Sequence, residues 1–149
     1  MNGPFEARIQ VLSRPPLLAV VRRAVEAWCD LAGADESTRC RVGLAVDEAL
    51  TNIIRHGYAG GADGVIDIGM RCGGSTIEFV IEDRARQVQL DQIKGRALDD
   101  IRPGGLGVHL IREVMDVVVW SHRQGGGMRL ELTKELSVAP TLVEAKDDR

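Results

Sequence analysis

The 149-residue chain lacks an excess of positive charge: 19 Lys and Arg stand against 22 Asp and Glu, a net −3 at neutral pH. No basic field therefore advertises nucleic acid or an anionic membrane as a partner. No apolar run approaches the roughly 18 residues that span a bilayer. The stretch VMDVVVW is too short for that and reads as a buried strand. The opening MNGPFEARIQ has no basic start followed by an apolar core, so no secretory signal is expected. Cys29, Cys40 and Cys72 are odd in number, widely spaced and form no C-x-x-C pair. That excludes a disulfide framework and a cysteine zinc site, and the three read as small core residues in a reducing cytoplasm. His56, His109 and His122 are equally scattered, so no metal-ligand cluster is expected. Internal repeats, low-complexity tracts and linkers are also missing.

What remains is a soluble globular composition, 44% apolar and 28% charged, with a length suited to one domain. That domain is expected over residues 1–136, with 137–149 as a disordered tail. Phe5, Ala7, Ile9 and Val11 alternate as a half-buried strand that ends at Ser13 and the Pro15-Pro16 pair. PPLLAVVRRAVEAWCDLAG follows as a helix, with Leu18, Val21, Val25 and Trp28 inward and Gly33 as its stop. Asp35 or Ser37 can cap a second, longer helix, closed by Gly57, Gly60, Gly61 and Gly64. VIDIGMRC and TIEFVIED alternate as two strands joined by GGS, and VVVWSHRQGGGMRLELTKEL reads as another hairpin turning at Gly125 to Gly127. Between the hairpins, residues 84–105 lose periodicity and carry five basic and three acidic side chains. A loop that long in a compact domain points to function or mobility. The order β-α-α-β-β-loop-α-β-β predicts an α+β two-layer sandwich. Its sheet should be mixed but mostly antiparallel, covered on one face by three helices.

The long helix raises the first functional question. Val42, Ala45, Val46, Ala49, Leu50, Ile53 and Ile54 form its apolar stripe. Glu48 and Asn52 are four apart and lie together beside that stripe, one turn above the other. Asn is a mediocre helix former. On spacing alone the pair reads as a solvated flank.

A second helix opens on glycines, in RPGGLGVHLIREVMD. Unpaired N–H groups and the dipole at such a start favour an anion, commonly phosphate; a flexible turn is the plainer reading. Two familiar phosphate motifs are excluded. There is no G-x-x-x-x-G-K-[ST] loop, and the glycine spacing is not G-x-G-x-x-G after a strand. A third position, Asp83, ends the strand in FVIEDRARQ where the long loop begins. It is either a turn residue or a carboxylate that accepts hydrogen bonds from a bound base.

Taken in order, Glu48-x-x-x-Asn52 on a helix, Asp83 at a strand end, a variable loop and Gly105-Leu106-Gly107 opening a helix form a pattern. It resembles the ATP-binding domain shared by gyrase, the heat-shock chaperone of that superfamily, sensor histidine kinases and mismatch-repair ATPases. Within this histidine-kinase-like superfamily, DEALTNIIRHGY and GGLGVHLIREVMD are similar to the stand-alone anti-sigma factor serine kinases of bacterial stress and sporulation control. The resemblance covers about residues 5–136. It implies ATP and Mg²⁺ as ligands, with Asn52 holding the magnesium and Glu48 as general base or water-positioning acid. It also implies that Asp83 accepts the adenine amino group and that residues 84–104 form a lid. Gly104, Gly105, Leu106, Gly107 and Val108 would wrap the phosphates, and Arg102 would neutralise them. The family motif D-x-G-x-G is here Asp83-Arg84-Ala85-Arg86-Gln87, with both glycines missing.

The function implied is a cytoplasmic protein serine/threonine kinase and anti-sigma factor. Its substrate would be a small STAS-type anti-anti-sigma protein, its second partner a sigma factor. A homodimer is implied as well, for which Leu17, Val20 and Leu31 offer apolar surface. The alternative is a non-catalytic, nucleotide-regulated module that sequesters a partner. A sensor histidine kinase is not expected, since one strand and one helix leave no room for a histidine-bearing hairpin before Glu48.

Overall fold

A computed structural model describes residues 4–87, 89–90 and 105–137. The elements run β1 (Phe5–Leu12), α1 (Pro16–Leu31), α2 (Glu36–Asn52), β2 (Val65–Gly73), β3 (Thr76–Asp83), α3 (Gly105–Val114), β4 (Val117–His122) and β5 (Met128–Glu135). They form one five-stranded sheet in the order β1-β2-β3-β5-β4. All four pairings are antiparallel, the limiting case of the mostly antiparallel sheet that the short turns predict.

Period-two alternation decides which face is buried. Ile66, Ile68, Met70 and Cys72 of β2, Ile77, Phe79 and Ile81 of β3, and Leu130 and Leu132 of β5 turn to the helices. Val21 and Val25 of α1, Val42, Ala45, Val46, Ala49 and Leu50 of α2, and Ile111 of α3 meet them in a single core. The opposite face of the sheet is largely polar, with the Glu6–Arg71 pair across β1 and β2 and Glu82 between Arg123 and Arg129.

Local chemistry sets the element ends. Asp35 caps α2, its carboxylate accepting the Thr38 N–H at 2.7 Å, which selects it over Ser37. The far end of α2 widens into a π-helical turn, Ile53–Gly57, in which the Tyr58 N–H donates to the Ile53 carbonyl at 2.9 Å. Gly73 pairs with Thr76, so Gly74 and Ser75 make a two-residue turn, with Gly74 at φ +60°.

Two expectations are corrected. Cys29 and Cys72 are buried, but Cys40 is exposed. It falls on the outer side of α2, where it lines an open groove of about 390 Å³ with Arg23, Glu26, Asp30, Glu36 and Arg39. VMDVVVW is not a buried strand. β4 is the sheet edge, and Val117 and Val119 alternate outward and are exposed, while Val118 and Trp120 pack on the core. A run of valines reads the same whether one face or both are covered.

Candidate active site

Strand register brings three chain segments to one end of the sheet. Asp83 ends β3 opposite Ile66, the second residue of β2. β2 follows α2 closely, so the C-terminal end of α2 arrives beside Asp83. The Tyr58 hydroxyl makes the junction: it donates to the Val65 carbonyl at 2.6 Å and accepts the Arg84 N–H at 2.8 Å. A Cβ on Gly57 would stand 3.1 Å from that of Ala85. α3 comes to the same end by its N-terminus. Its last turn leads through Asp116, whose N–H donates to the Thr133 carbonyl, into Val117 opposite Thr133. That is the far end of β5 from Met128, so α3 runs back from the Asp83 end.

Glu48 and Asn52, one turn apart on the last stretch of α2, are half-buried. Neither makes a hydrogen bond or ion pair among the described residues. Half-exposed, both are open to water or a ligand, whereas a polar side chain can also satisfy itself locally. Their neighbour Thr51 does so, donating to the Asp47 carbonyl at 2.8 Å.

Asp83 is only 4% exposed, the one buried ionisable side chain besides the cysteines among the described residues. Its Oδ1 accepts the Ala85 N–H at 2.9 Å and the Met128 N–H at 3.3 Å. Oδ2 takes part in neither bond. Burial pushes its carboxyl above the ordinary carboxylate value, against the smaller opposing pull of the two N–H donors and Arg123. A desolvated acceptor of this kind suits an amino group of a flat heterocycle.

Of the predicted phosphate contacts, Gly105, Leu106, Gly107 and Val108 form the first turn of α3, and Val108 is half-buried. The first turn of a helix presents N–H groups that can favour an anion. Arg102 and Gly104 lie outside the described residues, as do residue 88 and 91–104 of the expected lid. Four contributors were not singled out from the sequence: Tyr58, Gln87, Arg123 and Gly127. The Gln87 Nε2 donates to the Arg123 and Gly127 carbonyls at 3.1 and 3.3 Å, and Gly127 packs its bare Cα on the Asp83–Arg84 peptide. Only the GGG run gave a signal, and it reads as a turn.

A half-buried carboxylate-amide pair, a buried carboxylate and a helix N-terminus thus gather at one end of a five-stranded antiparallel sheet covered by helices, the layout of an ATPase domain. The family described as the histidine kinase-like ATPase domain matches residues 11–134, and the chain belongs to it. Among its relatives is a protein named serine-protein kinase RsbW from Oceanobacillus iheyensis, 28% identical over 78% of this chain and 79% of that protein. RsbW from Staphylococcus aureus is 29% identical over 90% of this chain and 84% of its own length. The crystal structure of the RsbU and RsbW domains of a Mycobacterium tuberculosis protein shares the fold, with a TM-score of 0.64 at 21% identity. The likeness covers 89% of this chain and 32% of that one. Among the described residues no helix is long and apolar enough to cross a membrane.

Proposed function

We propose that the chain is an ATP-dependent protein serine/threonine kinase and anti-sigma factor of a cytoplasmic partner-switching circuit. Its relatives named serine-protein kinases support the activity, and the family supports ATP as phosphoryl donor. The observation that carries the reading is the placement of half-buried Glu48 and Asn52, one turn apart on α2, at the sheet end that holds buried Asp83. The substrate is a serine of a small STAS-type anti-anti-sigma protein, and the sequestered partner is a sigma factor. The working form is a homodimer, and neither nucleic acid nor membrane is engaged directly.

The residues fit a magnesium nucleotide. Asn52 and Glu48 offer hard oxygen atoms not already committed, and Mg²⁺ needs only one or two protein oxygens beside phosphate and water. When bound, the cation neutralises charge on the phosphates. The Asp83 carboxylate accepts the adenine amino group, the N–H groups at Gly105 to Val108 hold phosphate oxygens, and Arg102 adds positive charge. A carboxylate oxygen of Glu48 takes the proton of the attacking serine hydroxyl as its oxygen bonds to the γ-phosphorus and ADP leaves. Such transfer depends on positioning and charge stabilisation more than on covalent chemistry by the protein.

The absent glycines after Asp83 favour one other reading, a nucleotide-regulated module that sequesters a partner without phosphate transfer. Single-turnover phosphorylation of an anti-anti-sigma protein with γ-labelled ATP separates the two. Glu48→Gln should still bind MgATP while transfer falls by about 10²- to 10⁴-fold, the usual worth of a positioned base. Asn52→Ala should weaken MgATP binding itself. Wild-type transfer by Glu48→Gln would remove Glu48 from the chemistry, and no transfer by the unmodified protein would leave the sequestering module.

A further inference from the structure

The β3–β5 ladder stops one rung early. Glu82 pairs with Arg129, but at the next position the Met128 N–H turns to the side chain of Asp83. This places the start of β5 against the turn that follows Asp83. Gly127, at φ +88°, lies so close that a Cβ would overlap the Asp83 carbonyl and stand 2.8 Å from the Arg84 Cα.

Two side chains fasten the same turn from opposite sides. On the α2 side the Tyr58 hydroxyl holds the Arg84 N–H at 2.8 Å and is itself fixed by the Val65 carbonyl. On the other side the Gln87 carboxamide reaches the Arg123 and Gly127 carbonyls. Those carbonyls also close the β4–β5 turn, accepting from the Gly126 N–H at 3.2 Å and the Arg123 N–H at 2.9 Å respectively. Asp83, Ala85, Gln87, Gly127 and Met128 thus form a closed circuit of contacts around one carboxylate, with Tyr58 as its outer brace.

We infer that Tyr58 and Gln87 are positioning residues that set base selectivity by fixing the Asp83 carboxylate between the Ala85 and Met128 N–H groups. Both N–H groups converge on Oδ1, which leaves Oδ2 to accept from the base. Neither residue touches nucleotide in this reading; each acts through Asp83. The turn lacks the two glycines of the family motif, and the struts supply by side chain the placement that a tighter backbone would supply. The inference rests on Asp83 being the base acceptor.

The test is a selectivity ratio, measured calorimetrically on the full chain with MgATP and with the magnesium salt of purine riboside triphosphate, which lacks only the 6-amino group. The unmodified protein should prefer ATP by about tenfold or more, as a charge-assisted hydrogen bond requires. Tyr58→Phe and Gln87→Leu should each weaken ATP by about 3- to 10-fold and leave the analogue unchanged. Gln87→Glu keeps length but cannot donate to two carbonyls, and should behave as Gln87→Leu; a merely solvated Gln87 would tolerate it. Equal losses for both nucleotides, or no loss for either, would overturn the inference while the nucleotide reading stands. An unmodified protein that binds ATP and its analogue equally would overturn the assignment of Asp83, and the inference with it. Binding of neither would also remove the nucleotide site.

Discussion

Asp83 concentrates the residue-scale consequences, because the carboxylate that is costly to the fold is also the proposed acceptor for the base. Burial raises its native pKa above the unfolded value. The native state therefore holds this proton more tightly, and the stability so gained is present in full at low pH. It is lost as pH rises from the ordinary carboxylate value through the raised native one. Asp83→Asn keeps an oxygen to accept from Ala85 and Met128 but removes the desolvated charge. Urea unfolding at neutral pH should show the variant at least as stable as the parent, with that part of the pH slope gone. ATP affinity should fall by about 10- to 100-fold, the worth of a hydrogen bond to a charged group. In the parent, ATP affinity should decline on acidification at a pH above the ordinary carboxylate value, since the ionised form is the stronger acceptor for the amino group. The cysteines give an independent check of burial. Desolvation, with a lesser contribution from Glu26, pushes the Cys29 thiol up to about 12, so almost no thiolate exists there at neutral pH. Mass spectrometry after brief alkylation should find Cys40 modified in the folded protein, with Cys29 and Cys72 modified only after denaturation.

At the scale of elements, Gly127 is the glycine whose replacement should be felt most. Gly74 and Gly127 both have positive φ, at +60° and +88°, but a Cβ on Gly74 meets nothing within 4 Å. Gly74→Ala should therefore cost only the backbone strain, about 1 kcal/mol. Gly127→Ala adds a collision with the Asp83–Arg84 peptide and should exceed that clearly, by about 1–3 kcal/mol. Paired urea titrations check the difference, and equal costs would mean that the β4–β5 turn yields freely. The same contrast explains what sequence reveals. Alternation in VIDIGMRC and TIEFVIED is local, so both strands and their turn were legible, as was the apolar stripe around Leu50. Glu48 and Asn52 were legible as a pair because helical geometry fixes residues four apart. The edge position of β4 was not, since it depends on which strand comes to rest beside β5. Nor were Tyr58, Gln87 and Gly127, whose contacts span 26, 36 to 40, and 44 residues of chain. Cys40 was misplaced for a plainer reason: its residue type favours burial, but its position on α2 faces outward.

The whole molecule leaves an apolar stripe unexplained by its own core. α1 buries Val21, Val25 and Cys29, yet Leu17, Val20, Ala24, Ala27 and Leu31 recur at alternating spacings of three and four along another side. Val20 is 60% and Leu31 50% exposed, with exposed Ala27 and half-buried Ala24 between them. Small residues flanked by larger ones at this spacing let a second helix approach closely, which is the pattern of a two-helix seam. The proposed homodimer would place α1 against α1 across a two-fold axis, each stripe covering the other. Val20→Arg tests it. The side chain is exposed in the monomer, so the fold should be affected within about 0.5 kcal/mol. At the axis it would set like charges together, near Arg23. Light scattering at micromolar concentration should give a dimer for the parent and a monomer for Val20→Arg. Val119→Lys on the exposed edge of β4 should leave the dimer intact. A monomeric parent would end the homodimer proposal. A dimer lost with Val119→Lys and kept with Val20→Arg would move the interface from α1 to the sheet edge.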